Sequence, residues 1–382
     1  MDEALNNAEN NSLGRVFPLS GYKSNLIIKE LLPKEEEKIK LYCSALILLK
    51  IWAENNSIYG NQFGFLSGTS MLIMLTKIYL LYPNTCSVLV ILDRFFLTFL
   101  TWNWPRPFLI GKIDDSLPHS WRIGTELFAR EITFLNKQGI EEDWDDKSDK
   151  KYIKMEKEKL KENEKENIER LKKHSKLIMP ILTPAYPQQS SAFNVNYSTM
   201  KIIKQTIIEG LRGLRQIRNS HLNEILKQWI KGVDFVDKYD HFVTIICVGI
   251  DKNIGEDFCN FVKNRIRVEL VLSLEEYPKL EYSHISPNKS KKGKCEKRLI
   301  AGKKFKKFWE DNWCKQWIVG LNFPEIFNYS NKEKISLNYY FLKFIKKIKG
   351  KYIKHRKIER TNVAIHLRYT DIHEAKKFWG DN

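Results

Sequence analysis

Paired cysteines are missing from this sequence. Its six cysteines, Cys43, Cys86, Cys247, Cys259, Cys295 and Cys314, stand singly, with no Cys-x-x-Cys in 382 residues. That removes the usual signatures of a structural zinc site and of a dithiol redox motif, and it fits a reducing, intracellular compartment. A long uncharged apolar run is missing as well. The most apolar stretch, residues 71–104, is interrupted by Lys77, Pro83, Asn84, Asp93 and Arg94, whereas a membrane-spanning helix needs roughly 20 predominantly apolar residues in a row. Residues 1–11 are polar and acidic, the wrong chemistry for a secretory signal. Neither a phosphate-cradling P-loop nor an internal repeat is visible. A soluble, intracellular protein is expected.

What is present is a large positive charge and many aromatics. The formal net charge is +18, with ten Trp and 21 Phe. So many large apolar side chains can build real cores and are not those of a disordered chain. The charge favours a polyanionic partner, nucleic acid before anionic membrane. The length allows two to three domains.

Apolar periodicity divides the chain. Residues 1–16 are polar and expected to be loose. From Glu36, Ile39, Tyr42, Cys43, Leu46 and Leu49 recur at helical spacing, giving an amphipathic helix. Further helices are expected over 70–81, stopped by Pro83, over 87–100, and over 199–229. Residues 112–176 read as an exposed insertion, because 141–176 is almost continuous charge with too few apolar residues to hold a core. Residues 179–187, with three prolines, read as extended. The second half changes pattern. Residues 241–250 form a β-branched apolar run, as in a buried strand; 254–265 reads as a helix, and 268–274 and 317–323 as further strands. Strand, helix, two strands and a late helix suggest a small α+β domain with an open sheet, interrupted by a lysine-rich loop over 288–307.

Residues 48–70, LLKIWAENNSIYGNQFGFLSGTS, carry the most chemistry. Lys50 lies near a helix end, Tyr59 and Asn61 follow a break at Asn55–Asn56–Ser57, and Gly64 and Gly68 lead into the next helix. A cation, a hydroxyl donor and a glycine-flanked helix N-terminus are what a triphosphate needs. The alternative is ordinary: Lys50 as a solvated end-of-helix charge, and Gly60, Gly64 and Gly68 as positions of close packing.

This segment resembles the poly(A) polymerase pattern IKLWAkr–IYsN–GFlGGvsWa. Leu81–Tyr82–Pro83–Asn84 resembles that family's QLYPNA, and Phe95–Phe96 with Trp102–Asn103–Trp104–Pro105–Arg106–Pro107 resembles its FF…WxWPnP. Residues 179–187 are similar to MPIITPAYP, and Asn194–Val195 with Ser198–Thr199 to its NVS.ST. Lys238–Tyr239–Asp240–His241 is similar to the KYkHy opening its RNA-binding domain. Arg265–Ile266–Arg267 with Ser273–Leu274–Glu275 resembles kIR…SLE, and Trp317–Ile318–Val319–Gly320–Leu321 resembles WviGL. The likeness covers about residues 17–370 outside the insertion.

The resemblance implies a fold of α plus α+β type: a helical central domain over 17–234 with the insertion at 112–176, then an RRM-like, ferredoxin-like RNA-binding domain over 235–375. It implies addition of AMP from ATP to RNA 3′ ends in mRNA polyadenylation, in the nucleus, with cleavage and polyadenylation factors as protein partners. It places the ATP triphosphate against Lys50 and Tyr59, the adenine side against Asn61, and the nucleotide along Gly68 and Thr69. The family's LNG, whose asparagine touches ATP, reads Leu19–Ser20–Gly21 here, so Ser20 takes that place. The first glycine of the family's GG is Ser67, and its valine is Thr69.

The family's transfer uses two Mg²⁺ ions, or Mn²⁺, held by three aspartates, two of them in a DxD after a Gly-Ser. Those aspartates lie upstream of the LNG region, and this sequence starts 18 residues before Leu19. It contains no Gly-Ser, and its DxD, Asp143–Trp144–Asp145, sits in the charged insertion. The expectation is a chain that holds ATP and RNA but lacks the metal-binding aspartates, so that catalytic metal belongs to a longer enzyme. The alternative is a non-catalytic RNA-binding or scaffold protein derived from the same fold. For RNA, the candidates are Lys291, Lys292, Lys303 and Lys304 in one basic run and Lys346, Lys347 and Arg356 in another. Aromatics flank both runs and can stack on single-stranded bases. Solvated lysine loops around core aromatics are the rival reading, and either run could also serve in nuclear import.

Overall fold

The computed structural model describes residues 13–113, 178–217, 222–293, 313–324, 337–357, 359 and 362–379. Residues 114–176 of the expected insertion lie outside them. The chain divides into two compact units, Met1–Leu46 with Leu66–Met200, and Ile47–Phe65 with Lys201–Asn382.

The first unit is helical. It contains α1 (Leu13–Leu31), the first half of α2 (Glu36–Asn55), α3 (Gly68–Leu81) and α4 (Val88–Thr101). Three of these start within two residues of where the apolar periodicity puts them. The fourth, α1, begins at Leu13, inside the stretch expected to be loose. Pro18 lies within it, and an internal proline argues against a helix on local grounds. Tertiary hydrogen bonds tie it down instead. The buried Ser20 hydroxyl donates toward the carbonyls of Ala185 (3.2 Å) and Pro187 (2.9 Å), and Ser24 Oγ, one turn on, accepts the Ala185 N–H at 3.2 Å.

The Phe and Trp motifs become the core of this unit. Phe99 lies 4.8 Å from Phe95 and 4.9 Å from Phe108, and Trp102 packs edge-on against Phe108 at 4.9 Å. Each fully buried Phe contributes about 1.5–3 kcal/mol. Residues 179–187 are extended as expected: Leu182 N–H donates to Phe108 O and Phe108 N–H to Pro180 O, while Leu182 bridges to Ser190. The Asn194–Thr199 motif starts the next helix, α5 (Tyr197–Ile217). Asn196 Oδ1 accepts the Thr199 N–H at 2.8 Å and Thr199 Oγ accepts the Asn196 N–H at 2.9 Å, a reciprocal cap.

The second unit holds a four-stranded antiparallel sheet in the order β2-β3-β1-β4. The strands are β1 (His241–Gly249), β2 (Tyr282–Gly293), β3 (Trp313–Asn322) and β4 (Val363–Asp371). Before it come the rest of α5 and α6 (Leu222–Lys231). α7 (Lys252–Arg265) leads from β1 toward β2, α8 (Asn338–Arg356) from β3 toward β4, and α9 (Ile372–Trp379) follows β4. β1 is central. His241 pairs with Leu321 on one side and Asp371 on the other, and the register runs unbroken to Gly249 opposite Trp313 and Val363.

All nine residues of β1 are buried, so both faces of the sheet are covered. On one, Cys259 of α7 donates its thiol to Cys247 O, and Phe258 lies 4.8 Å from Tyr352 of α8. On the other, Phe242 and Ile318 join Phe235, Val236, Tyr239, Ala375 and Trp379 in one cluster.

The expected strand over 268–274 is a correction. Ile266–Val271 is a π-helical turn that runs into one α-turn, Leu272–Leu274. Ile266, Leu270, Val271 and Leu274 are all buried; their spacing of four, one and three is that of a helix continuing from α7, and tertiary packing overrides the β-branched composition. The second strand lies instead at β2, whose sequence YSHISPNKSKKG shows no sustained apolar alternation. It buries Ser283, His284 and Ser286 and shifts register between Ile285 and Ser290 around Pro287, as a bulge does. The lysine-rich segment expected as a loop from residue 288 is strand up to Gly293. The single helix expected over 199–229 is two, α5 and α6.

Candidate functional site

The segment singled out in the sequence is a helix end and a strained turn. Tyr42, Ala45, Leu49 and Trp52 are buried along α2, which fixes the rotation of the helix and leaves Lys50 half-buried near its end. The chain then leaves the helix through three residues of positive φ: Ser57 at 60°, Gly60 at 135° and Gly64 at 88°. Glycine adopts such angles at little steric cost, and serine does not. Asn61–Phe63 forms a 3₁₀ turn inside this loop, with Phe63 buried beneath it.

Three of the six expected nucleotide residues lie in this one stretch. Lys50 Nζ stands 5.7 Å from the centre of the Tyr59 ring, within cation–π range. Asn61, at the turn, carries a buried Oδ1 with no hydrogen-bond partner among the described residues. Buried carbonyl oxygens are nearly always paired, so this one is an acceptor awaiting a donor. Two further lysines stand nearby in the same unit. Lys263 Nζ lies 5.8 Å from the Phe63 ring, and Lys238 Nζ donates to Asn56 O and Oδ1 at 3.4 Å. Burial pushes the Lys238 ammonium below its usual range.

Gly68, Thr69 and Ser20 belong to the other unit. Gly68 opens α3, capped by Ser67: Ser67 Oγ accepts the Ser70 N–H at 3.0 Å and Ser70 Oγ receives the Ser67 N–H. Ser67, where the resembling pattern has glycine, is thus a helix cap. The box takes the Ser70 N–H and leaves those of Gly68 and Thr69 outside it, at the positive end of the helix. Thr69 is exposed. Ser20 is buried on the carbonyls of Ala185 and Pro187.

The basic candidates are spread more widely. Lys346 and Lys347 are exposed on α8, and Lys347 pairs with the buried Glu269, which also holds Lys351 at 3.2 Å. Arg356 pairs with Asp257 at 2.7 Å. Lys291, on β2, donates to Phe378 O and sits 5.5 Å above the Trp379 ring. Lys292 follows it in the strand, and Lys303 and Lys304 lie outside the described residues.

Sequence reasoning assigned no role to His284, which is 1% exposed. Its Nε2 lies 2.8 Å from Ser57 O and its Nδ1 2.6 Å from the Tyr239 hydroxyl. Burial depresses its pKa to about 3. Only the Lys238–His241 motif pointed toward this cluster.

The chain combines a helical unit with a four-stranded α+β unit, and comparison with known proteins finds it similar to poly(A) polymerases, a group of nucleotidyltransferases. A family model described as the poly(A) polymerase central domain matches residues 41–130 and 140–229. That match, over just under half of the chain, supports a protein with a poly(A) polymerase central domain. It is 26% identical over 268 residues to a poly(A) polymerase of Dictyostelium discoideum, covering 70% of this chain and 27% of that protein. Over 271 residues it is 27% identical to poly(A) polymerase PAPalpha and 26% to PAPa of Candida albicans, covering 70% of this chain and 39% of each. The match therefore spans well under half the length of these relatives.

Proposed function

We propose that this chain serves polynucleotide adenylyl transfer, the addition of AMP from ATP to the 3′ end of RNA, by holding the nucleotide and the transcript. The observation that carries the nucleotide half is the geometry of residues 50–61: Lys50 over Tyr59, and the unpartnered Asn61 Oδ1 beside them. The ammonium neutralises triphosphate charge, the Tyr59 hydroxyl donates to a phosphate oxygen, and Asn61 Oδ1 accepts a proton of the adenine amino group. In the other unit, the N–H groups of Gly68 and Thr69 lie at the N-terminus of α3, where backbone donors suit an anion. Mg²⁺ or Mn²⁺ supplies charge neutralisation of the leaving pyrophosphate in this class of reaction. Among the described residues no group of three or more His, Cys, Asp or Glu could hold such an ion; Asp143 and Asp145 lie outside them. The described residues do not fit that ion, and their part is binding and orientation.

The β-α-β-β-α-β connectivity and the order β2-β3-β1-β4 support reading the second unit as an RRM-like RNA-binding domain. Because both faces of its sheet are covered, RNA is held by lysines on the helices and not by bases stacked on strands. Pre-mRNA is the substrate, the nucleus the compartment, and cleavage and polyadenylation factors the partners.

Titration of the purified chain with ATP tests the proposal. Micromolar to millimolar binding is expected, about tenfold weaker in Lys50→Ala; equal affinity of wild type and variant would refute the assignment. Primer extension with ATP and Mg²⁺ or Mn²⁺ separates this reading from a scaffold that binds RNA without turnover.

A further inference from the structure

The turn that carries Tyr59 and Asn61 is held from below by side chains far away in sequence. Asn55 Nδ2 donates to Ile230 O at 2.6 Å, Lys238 reaches Asn56, Asn288 donates to Glu54 O, and Ser57 Oγ meets Ser286 Oγ at 3.3 Å. At the centre stands His284. A backbone carbonyl can only accept, so His284 Nε2 carries the proton and donates to Ser57 O. Its Nδ1 is then bare and accepts the hydroxyl proton of Tyr239. The relay is therefore directional: Tyr239 O–H to Nδ1, and Nε2–H to the carbonyl of the residue at φ 60°. The His284 ring is boxed in by Phe65 at 5.0 Å and Phe235 at 4.9 Å, which leaves it one orientation.

Two sequence motifs acquire a purpose here. A Cβ at Gly320, in the Trp317–Leu321 run on β3, would collide with the Tyr239 ring. Gly320 thus leaves the space in which Tyr239, of the Lys238–His241 motif, stands against the sheet and reaches His284.

We infer that His284, oriented by Tyr239 through the space left at Gly320, is a positioning residue for nucleotide binding: it fixes the Ser57 carbonyl, and with it the turn that presents Tyr59 and Asn61. The inference rests on the nucleotide reading above. Tyr239→Phe removes the proton that Nδ1 accepts while keeping the ring. It frees the imidazole to take the other tautomer and release Ser57 O.

ATP titration of the whole chain is run on wild type, Lys50→Ala and Tyr239→Phe, with single-stranded RNA affinity and the thermal midpoint measured alongside. Tyr239→Phe is expected to weaken ATP about five- to tenfold, the scale of one lost buried hydrogen bond, with RNA affinity unchanged. If Lys50→Ala weakens ATP and Tyr239→Phe does not, the inference is overturned and the nucleotide reading stands. If wild type binds no ATP, the nucleotide reading falls and the inference with it. Nitrogen-15 shifts of the wild-type imidazole, which need no variant, give the second arm. A protonated Nε2 and bare Nδ1 from pH 8 down to about 4 are expected; a protonated Nδ1, or titration near the ordinary histidine pKa of about 6.5, would overturn it.

Discussion

The indole rings of Trp52 and Trp229 stack 6.0 Å apart and 15° from parallel. Trp52 lies two residues after Lys50 on α2, and Trp229 lies on α6, where its Nε1–H donates to Gly210 O of α5 at 2.9 Å. The stack joins three helices and fixes the end of the one that presents the lysine. A Cβ at Gly213 would fall 2.5 Å from the Trp229 ring, so α5 must be bare there. Trp229→Ala is expected to cost about 3–5 kcal/mol by denaturant unfolding, and Gly213→Ala about 1–3 kcal/mol by overpacking. A change below about 0.5 kcal/mol in both would remove the stack from the account.

Glu269 offers a test of charge. Its carboxylate is buried and holds Lys347 and Lys351 at the surface of α8. Glu269→Gln removes the negative charge that offsets both ammoniums and leaves their positive charge to an external anion. Single-stranded RNA is expected to bind about threefold more tightly at low salt, with a thermal midpoint a few degrees lower. The partners are half-exposed, so the pair's share of stability is about 1 kcal/mol. Weaker RNA binding would show that α8 faces away from the transcript.

Lys346 and Lys354 are exposed on the same helix. If they neutralise phosphates, replacing both by alanine lowers the slope of log affinity against log salt by about 0.7 for each phosphate of a single strand that is no longer neutralised. An unchanged slope, read by fluorescence anisotropy across several salt concentrations, would exclude them.

Acid should loosen the protein through His284. Its folded pKa, about 3, lies below that of an unfolded histidine, about 6.5. Between those values the unfolded chain binds the extra proton, so stability is complete above about pH 6.5 and falls as pH drops toward 3, at up to about 1.4 kcal/mol per unit. Burial lowers His241 and His366 in the same direction. The share of His284 is therefore the difference between wild type and His284→Asn in thermal midpoint from pH 7 to pH 4. Parallel curves would contradict the buried, neutral imidazole.

How much of this could be read in advance follows from the kind of residue involved. α2, α3 and α4 were legible because Tyr42, Leu49, Phe95 and Phe99 bury at helical spacing, and β1 because nothing in it is polar but His241 and Thr244. Lys50, Tyr59 and Asn61 stood out in the sequence, and the structure puts them in one stretch at the end of α2, with Lys50 beside the Tyr59 ring. α1 was hidden by Pro18, since its hold on Ala185 and Pro187 is tertiary. β2 was hidden because it buries serine and histidine, polar groups satisfied by partners more than 200 residues away: Ser286 by Ser57 Oγ and His284 by Ser57 O. Residues 268–274 misled because β-branched composition cannot separate a buried π-turn from a strand.

The measurement closest to the centre of this account is photo-crosslinking with 8-azido-ATP, followed by mass-spectrometric mapping of the labelled peptides. The label is predicted to fall on peptides spanning residues 50–69, to be displaced by excess ATP, and to be lost in Lys50→Ala. Displaceable label confined to peptides elsewhere in the chain would contradict the assignment of the nucleotide to Lys50, Tyr59 and Asn61.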